Sequence, residues 1–220
     1  MKPGQQSRKG RLSDDARDDA RMGRFQILVG DAAWAQLPAA VRARFSVDLA
    51  PGEAAAYLGE VASTRMTAFG WCTAQVARLV GAPLPLNATK HSAAAVIVTK
   101  EASSNVQFWT RVYHRAGQLP QVIRSAKHFS GPTGLEEIVR AGLGMTLRVS
   151  VERRALVFRS ERYFCLLGRW RLWIPNVLTP GRIQVVHREE RAGRFSFALT
   201  VTHVLFGETI HQVAFFRDVS

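Results

Sequence analysis

Asn105-Val106-Gln107-Phe108-Trp109-Thr110-Arg111-Val112-Tyr113-His114-Arg115 reads as one long β-strand, rich in β-branched and aromatic residues. Side chains alternate across a strand, so Trp109, Arg111 and Tyr113 share one face and Phe108, Thr110, Val112 and His114 the other. Both faces are partly apolar, and each carries polar groups that need partners if buried. That combination predicts a mid-sheet strand with hairpin neighbours on both sides, one face toward a cavity and the other toward a packed layer.

Period-2 segments surround it. Strands are predicted near Ala93–Thr99, Pro120–Phe129, Met145–Glu152, Leu156–Leu166, Trp170–Ile174, Ile183–Glu190, Arg194–Leu205 and Thr209–Phe216. Arg153-Arg154, Gly168, Pro175 to Gly181, Ala192-Gly193 and Gly207-Glu208 separate the later ones as tight turns. Thr133 followed by Glu136 is a capping-box pattern, which predicts a short helix up to Ala141 and Gly142. In Arg194–Leu205 a bulky face (Phe195, Phe197, Leu199, Val201, His203) opposes Ser196, Ala198, Thr200 and Thr202. Such small residues fit either an open barrel lumen or an ordinary exposed face.

Toward the N-terminus, Trp34, Leu37, Val41 and Phe45 recur at helical spacing, with Pro38 suited to a first turn. Ala54 to Met66 reads as a strand. Thr67–Gly81 reads as an amphipathic helix with Phe69, Cys72, Val76, Leu79 and Val80 on one stripe, ended by Gly81, Pro83 and Pro85. This helix is the expected lid or plug, and Cys72 an inert core thiol. Residues 1–24 repeat Asp-Asp-Ala-Arg with almost no apolar face, so they are expected to be a disordered tail, leaving 25–220 as a single β domain. The fold expected is α+β and mainly antiparallel: a strongly curved sheet or barrel, lipocalin-like or helix-grip-like, with two or three covering helices. No alternating βα units, GxGxxG or Walker motif occur.

Bulk properties narrow the function classes. No apolar run is long enough for a transmembrane helix, and Met1 to Arg24 has no apolar signal core, so a cytoplasmic location is expected. Cys72 and Cys165 are too few and too far apart for a metal site. Thirty Lys/Arg against 17 Asp/Glu give a net charge of +13. This favours anionic partners in general, although the basic residues are scattered along the strands and not gathered in runs. An Arg- and Ala-rich composition accounts for the charge equally well.

From Asp31 onward the chain resembles an uncharacterised bacterial domain-of-unknown-function family. The resemblance is carried by Leu37-Pro38-Ala39-Ala40-Val41-Arg42, Trp109-x-Arg111, Ser125 with Gly131 and Glu136, and Gly142-Leu143-Gly144-Met145. It continues through Leu156-x-Phe158-x-Ser160, Tyr163-Phe164, Ile174-Pro175-x-x-Leu178-x-Pro180-Gly181, and Phe195-x-Phe197 to His203-x-x-Phe206-Gly207-Glu208. Members of such a family stand alone or are fused behind saccharopine-dehydrogenase-like or short-chain NAD-binding domains. The resemblance therefore implies a fold and a context, with any oxidoreductase a separate partner, and assigns no activity. Where such domains close on an aromatic-Gly pair, this chain has His211-Gln212-Val213-Ala214-Phe215.

Candidate chemistry is sparse. No GxSxG elbow occurs, and His187 shares a face with Glu189 near a turn. His203 and His211 would oppose each other only across a three-residue hairpin loop. No metal site or cofactor is expected. The stronger constellation is Trp109-x-Arg111-x-Tyr113, where an Arg beside a Tyr hydroxyl suits a carboxylate and an aromatic suits an apolar tail. Arg124, Arg148 and His203 are the residues expected to join it. Alternatively, Arg111 pairs with a buried Glu such as Glu60 or Glu152, and Trp109 is plain core.

Three functions follow, in order. The first is a non-catalytic binding module for a small amphipathic or acidic ligand, since burying an apolar tail at about 25 cal/mol per Å² supplies affinity without catalytic machinery. The second is an accessory or isomerase-like enzyme module. Nucleic-acid or anionic-membrane surface binding comes last, for want of a long basic helix or interleaved exposed aromatics.

Overall fold

The computed structural model describes residues 23–47, 49–50, 52–79, 84, 91–101, 106–139, 142–191 and 193–219. Eleven strands form one sheet: β1 (Ala54–Met66), β2 (Ser92–Lys100), β3 (Val106–Tyr113), β4 (Gln121–His128), β5 (Glu136–Ile138), β6 (Leu143–Glu152), β7 (Ala155–Leu167), β8 (Trp170–Ile174), β9 (Arg182–Arg191), β10 (Arg194–His203) and β11 (Gly207–Asp218). Their order is β6-β5-β4-β3-β2-β1-β11-β10-β9-β7-β8, and β6 also pairs with β7. That pairing closes ten strands into an antiparallel β-barrel and leaves β8 outside the ring. Closure gives every strand of the ring a neighbour on both sides, which reduces the exposed edges an open sheet would carry.

The opening stretch alternates as predicted, but its outer face is not the expected packed layer: Phe108 and His114 are exposed and Thr110 and Val112 half-buried. β3 pairs antiparallel with β2 on one side and β4 on the other. Trp109 and Tyr113 are buried inside the barrel, whereas Phe108 is exposed. The strand ends at Tyr113, with His114 and Arg115 in the connection to β4. In β10 the bulky face is the inner one, so the lumen is lined by Phe197 and Leu199. The hydroxyl face lies outside it, where Thr200 bonds His211 on the neighbouring strand. Register shifts in β1, β6 and β10 add local twist where the wall must bend.

Before the barrel come three short helices, α1 (Arg24–Val29), α2 (Asp31–Trp34) and α3 (Ala39–Ser46). The single helical stripe expected through Trp34 and Phe45 is broken at Pro38, which caps α3 and disfavours helical geometry at Leu37. Trp34, Leu37, Val41 and Phe45 are nevertheless all buried. Phe25 meets Phe45, Phe129 and Phe158 edge-on at 5.2, 5.1 and 5.8 Å, so these helices stop one end of the barrel with an aromatic plug. The tail expected over residues 1–24 lies outside the described residues up to position 22, and Arg24 already belongs to α1.

One expected helix is absent. Glu136 caps nothing: it is buried in β5, and its carboxylate accepts two bonds from Arg171 at 2.6 and 3.0 Å. Thr133 spends its hydroxyl on the Leu135 carbonyl. A long-range ion pair has claimed the group that the local pattern assigned to a cap, and the segment pairs with β4 and β6 instead.

Candidate functional site

The barrel encloses a cavity of about 540 Å³, within the roughly 300–1,000 Å³ of small-molecule sites. Its wall is mostly aliphatic and aromatic, including Val96, Ile123, Leu147, Phe158, Val185, Phe197 and Phe216. The aromatic plug forms its floor, where Phe45 stacks on Trp109 at 6.4 Å. The mouth is bordered by α4 (Ala68–Leu79) and by the β8–β9 connection through Val177, Leu178 and Pro180.

α4 approaches the barrel through small residues. Gly70, Ala74 and Ala77 are buried, and a Cβ on Gly70 would lie 2.3 Å from the Thr209 carbonyl oxygen. Its larger apolar groups therefore face the cavity or solvent. Phe69, Cys72 and Val76 line the mouth, and Val76 and Leu79 are exposed. This corrects the expectation of a buried Cys72: the thiol is exposed at the cavity entrance.

The expected triplet on β3 is gathered on the wall. Trp109 lies toward the plug, Tyr113 toward α4, and Arg111 between them; all three line the cavity. Arg111 Nη1 donates to Ser125 Oγ at 3.2 Å, and its Nη2 lies 3.4 Å from Glu137 Oε1. Lys127 Nζ donates to Glu137 Oε2 at 2.6 Å. One carboxylate thus serves two cations. Burial alone would raise the Glu137 carboxyl, yet Lys127 and Arg111 beside it hold it down to about 2. Burial pushes the Lys127 ammonium below its ordinary value, and Glu137 opposes the shift. Burial also raises the Tyr113 phenol. The cluster carries a net +1 as arranged, and Arg111, with 24% of its side chain exposed against 6% for Lys127, is the cation open to the cavity. The Trp109 indole Nε1 is buried and reaches no acceptor among the described residues; its ring also borders a second void of about 30 Å³ behind the floor.

Three expected members are elsewhere. Arg124 is exposed on the outer face of β4, because Ile123, Ser125 and Lys127 take the inner positions. Arg148 is likewise outside, paired with Glu161, since its neighbours Leu147 and Val149 point in. His203 is buried in the collar of the mouth and does not line the cavity. It accepts from Leu205 N–H at 3.2 Å and faces the Val177 carbonyl at 3.3 Å. Nor does it oppose His211: it pairs with Gly207, whereas His211 faces Thr200. Arg111 finds a buried Glu, but Glu137 rather than Glu60 or Glu152. Lys127 and Glu137 were missed altogether. Inward parity along β4, once Ile123 was placed inside, would have found Lys127. Glu137 lay hidden in the expected helix.

A second charged cluster sits behind the plug. Arg44 of α3 donates to Glu189 at 3.0 Å, to Asp218 through two bonds of 3.2 Å, and lies 3.2 Å from His187 Nε2. Its guanidinium also stacks over Phe195 at 3.9 Å. His187 is completely buried rather than at a charged strand end, and burial, with Arg44 adding, pushes its imidazole down to about 3. Because Arg44 donates to Nε2, the proton sits on Nδ1, which reaches no partner among the described residues. A neutral imidazole held this way ties α3 to β9 and has no contact with the cavity. Among the described residues, no group of three or more His, Cys, Asp or Glu could hold a metal ion.

No curated protein matches the sequence. A family model matches residues 37–216, which include the cavity wall and, of the α3 cluster, Arg44, His187 and Glu189 but not Asp218. The chain therefore belongs to the family described as domain of unknown function DUF4166.

Proposed function

We propose that the barrel is a non-catalytic binding module for a small amphipathic ligand whose carboxylate head pairs with Arg111 and whose apolar body fills the lumen. The observation that carries this reading is the sharing of one carboxylate by two cations on the wall of an otherwise apolar cavity. Buried charge is stable when it is balanced, and a single anionic head supplies the missing charge where Arg111 faces the void. The guanidinium uses two donors on protein groups and keeps the rest of its planar fork for a bidentate contact.

An isomerase-like role has less support. The carboxylate in the cavity is held at about 2, far below the range useful to a general base near neutral pH, and His187 lies behind the floor. A separate NAD-binding oxidoreductase would be the enzyme that makes or consumes such a ligand; its support is the resemblance carried by the motifs of this chain.

The test is a calorimetric titration of a matched pair, a long-chain carboxylic acid and its primary alcohol, against the wild-type chain and Arg111→Met. The acid should bind at least about tenfold more tightly than the alcohol, the weight of one charge-assisted contact. Arg111→Met should erase the difference. Equal affinity for acid and alcohol in the wild type, or no effect of the substitution, would remove the carboxylate clamp.

A further inference from the structure

The mouth carries large apolar side chains that no part of the described chain covers. Leu79 on α4 is 86% exposed, and Trp71 and Val76 on the same helix are exposed too. Across the opening, β8 extends past the ring as half of a hairpin with β7. Ile174 lines the cavity, and alternation places Leu172 and Trp170 on the same face of β8; Trp170 is 64% exposed. The β10–β11 turn completes the rim with Val204, Leu205 and Phe206. α4 meets the β10–β11 turn where Phe69 stacks on Phe206 at 3.9 Å, and His203 beside it reaches the Val177 carbonyl in the connection that follows β8. An apolar collar of this extent exceeds the scattered single residues that an ordinary surface shows.

Its charge selects the partner. Residues 68–79, 167–183 and 203–208 contain Arg78, Arg169, Arg171 and Arg182 and a single acid, Glu208, which pairs with Arg65. Arg78, Arg169 and Arg182 are exposed, and the Arg169 guanidinium lies over the Trp170 ring at 5.3 Å. Arg162 covers Trp173 in the same way at 3.9 Å. Exposed Trp and Leu side chains interleaved with arginines match the depth profile of an anionic bilayer, with apolar groups among the acyl chains and guanidinium groups at the phosphates. The exposed aromatics that were not evident in the sequence are present here.

We infer that the mouth of the barrel docks on an anionic lipid surface, with α4, the β7–β8 hairpin and the β10–β11 turn seated at the headgroups around the cavity entrance. This surface is distinct from the Arg111 clamp, since Trp170 and Leu79 do not line the cavity. It supplies a dry route for an apolar ligand between bilayer and lumen.

The experiment is flotation of the full chain with phosphatidylcholine vesicles, with and without phosphatidylglycerol. Wild type should float with the phosphatidylglycerol vesicles and be released by high salt. The double variant Trp170→Ser/Leu79→Ser should lower the partition coefficient at least about tenfold, while Arg169→Glu should lower it about fivefold or more. Ligand titration without vesicles reads the cavity separately and should not change in the double variant. Failure to float, flotation indifferent to lipid charge, or flotation unchanged by the double substitution overturns the inference. So does a concentration-dependent dimer that the double substitution abolishes, because the collar would then be an interface between copies of this chain.

Discussion

The two ends of the barrel are closed by opposite means. At the floor, α1 and α3 insert Phe25 and Phe45 among Phe129, Phe158 and Trp109, and Arg44 ties the plug to β9 and β11. At the mouth, α4 touches the barrel through glycine and alanine and turns its larger residues toward the cavity and solvent. The floor invests its aromatic and charged groups in contacts within the chain. The mouth leaves the same kinds of group uncovered by the described residues. Groups paired within the chain and groups left exposed are thus separated along the barrel axis, which makes the comparison open to substitution.

The largest effect should come at the floor. Arg44→Ala leaves Glu189 and His187 buried without their cation, and removing one partner of a buried ion pair costs about 3–5 kcal/mol; urea denaturation followed by circular dichroism reads this directly. A smaller loss should accompany Gly70→Ala, whose new methyl meets backbone at Thr209. Overpacking of this sort costs about 1–3 kcal/mol, and because it displaces α4 it should also weaken binding in the cavity. An equal loss of stability from both would mean that the mouth helix is as integral to the fold as the plug.

Next in size is a pH dependence. His187 has a folded-state value near 3, depressed from the ordinary 6.5. A histidine held neutral on folding contributes stability that is full above about pH 6.5 and is lost as pH falls toward 3, since the unfolded chain binds the extra proton. Stability should therefore decline below pH 6.5 by up to about 1.4 kcal/mol per pH unit, and His187→Gln should flatten that limb. Glu137 adds a second decline as pH falls from its ordinary value of 4.5 toward its folded value of about 2, because the unfolded chain takes up the proton first. A flat profile between pH 4 and 6.5 would show that His187 is not held neutral. Least affected should be Trp170→Ser/Leu79→Ser, whose unfolding free energy should stay within about 0.5 kcal/mol of wild type, as exposed sites do. A greater loss would place the collar among the folding contacts.

The barrel strands were legible because their signals are local. Period-2 alternation bounded by Gly, Pro and charged turns located β1 at its observed ends and most later strands within two or three residues. β5 was not legible, since Thr133 and Glu136 imitate a helix start and the competing partner, Arg171, lies 35 residues away. The site was half legible for the same reason. Parity along β3 put Trp109, Arg111 and Tyr113 on one face, but which face points inward on β4 and β6 depends on pairing across the sheet. That choice admitted Arg124 and Arg148 and hid Lys127. In α4 the stripe through Cys72 and Val76 was real, but hydrophobicity did not decide the contact face. Closeness of approach did, through Gly70.

β7 has a divided edge. Residues Leu156–Arg159 pair with β9, while Tyr163–Leu167 pair with β8. Among the described residues β8 has no other strand partner, so its amides can exchange with solvent through an opening that leaves the ten-strand ring intact. Hydrogen exchange should find β8 deuterated while β9 and β10 remain protected, with an opening free energy well below that of global unfolding. The bond from the Tyr163 hydroxyl to the Gly181 carbonyl, 2.7 Å long, marks the boundary between the two regimes. A closed wall flanked by a strand with its own melting event can loosen at its border without surrendering the fold.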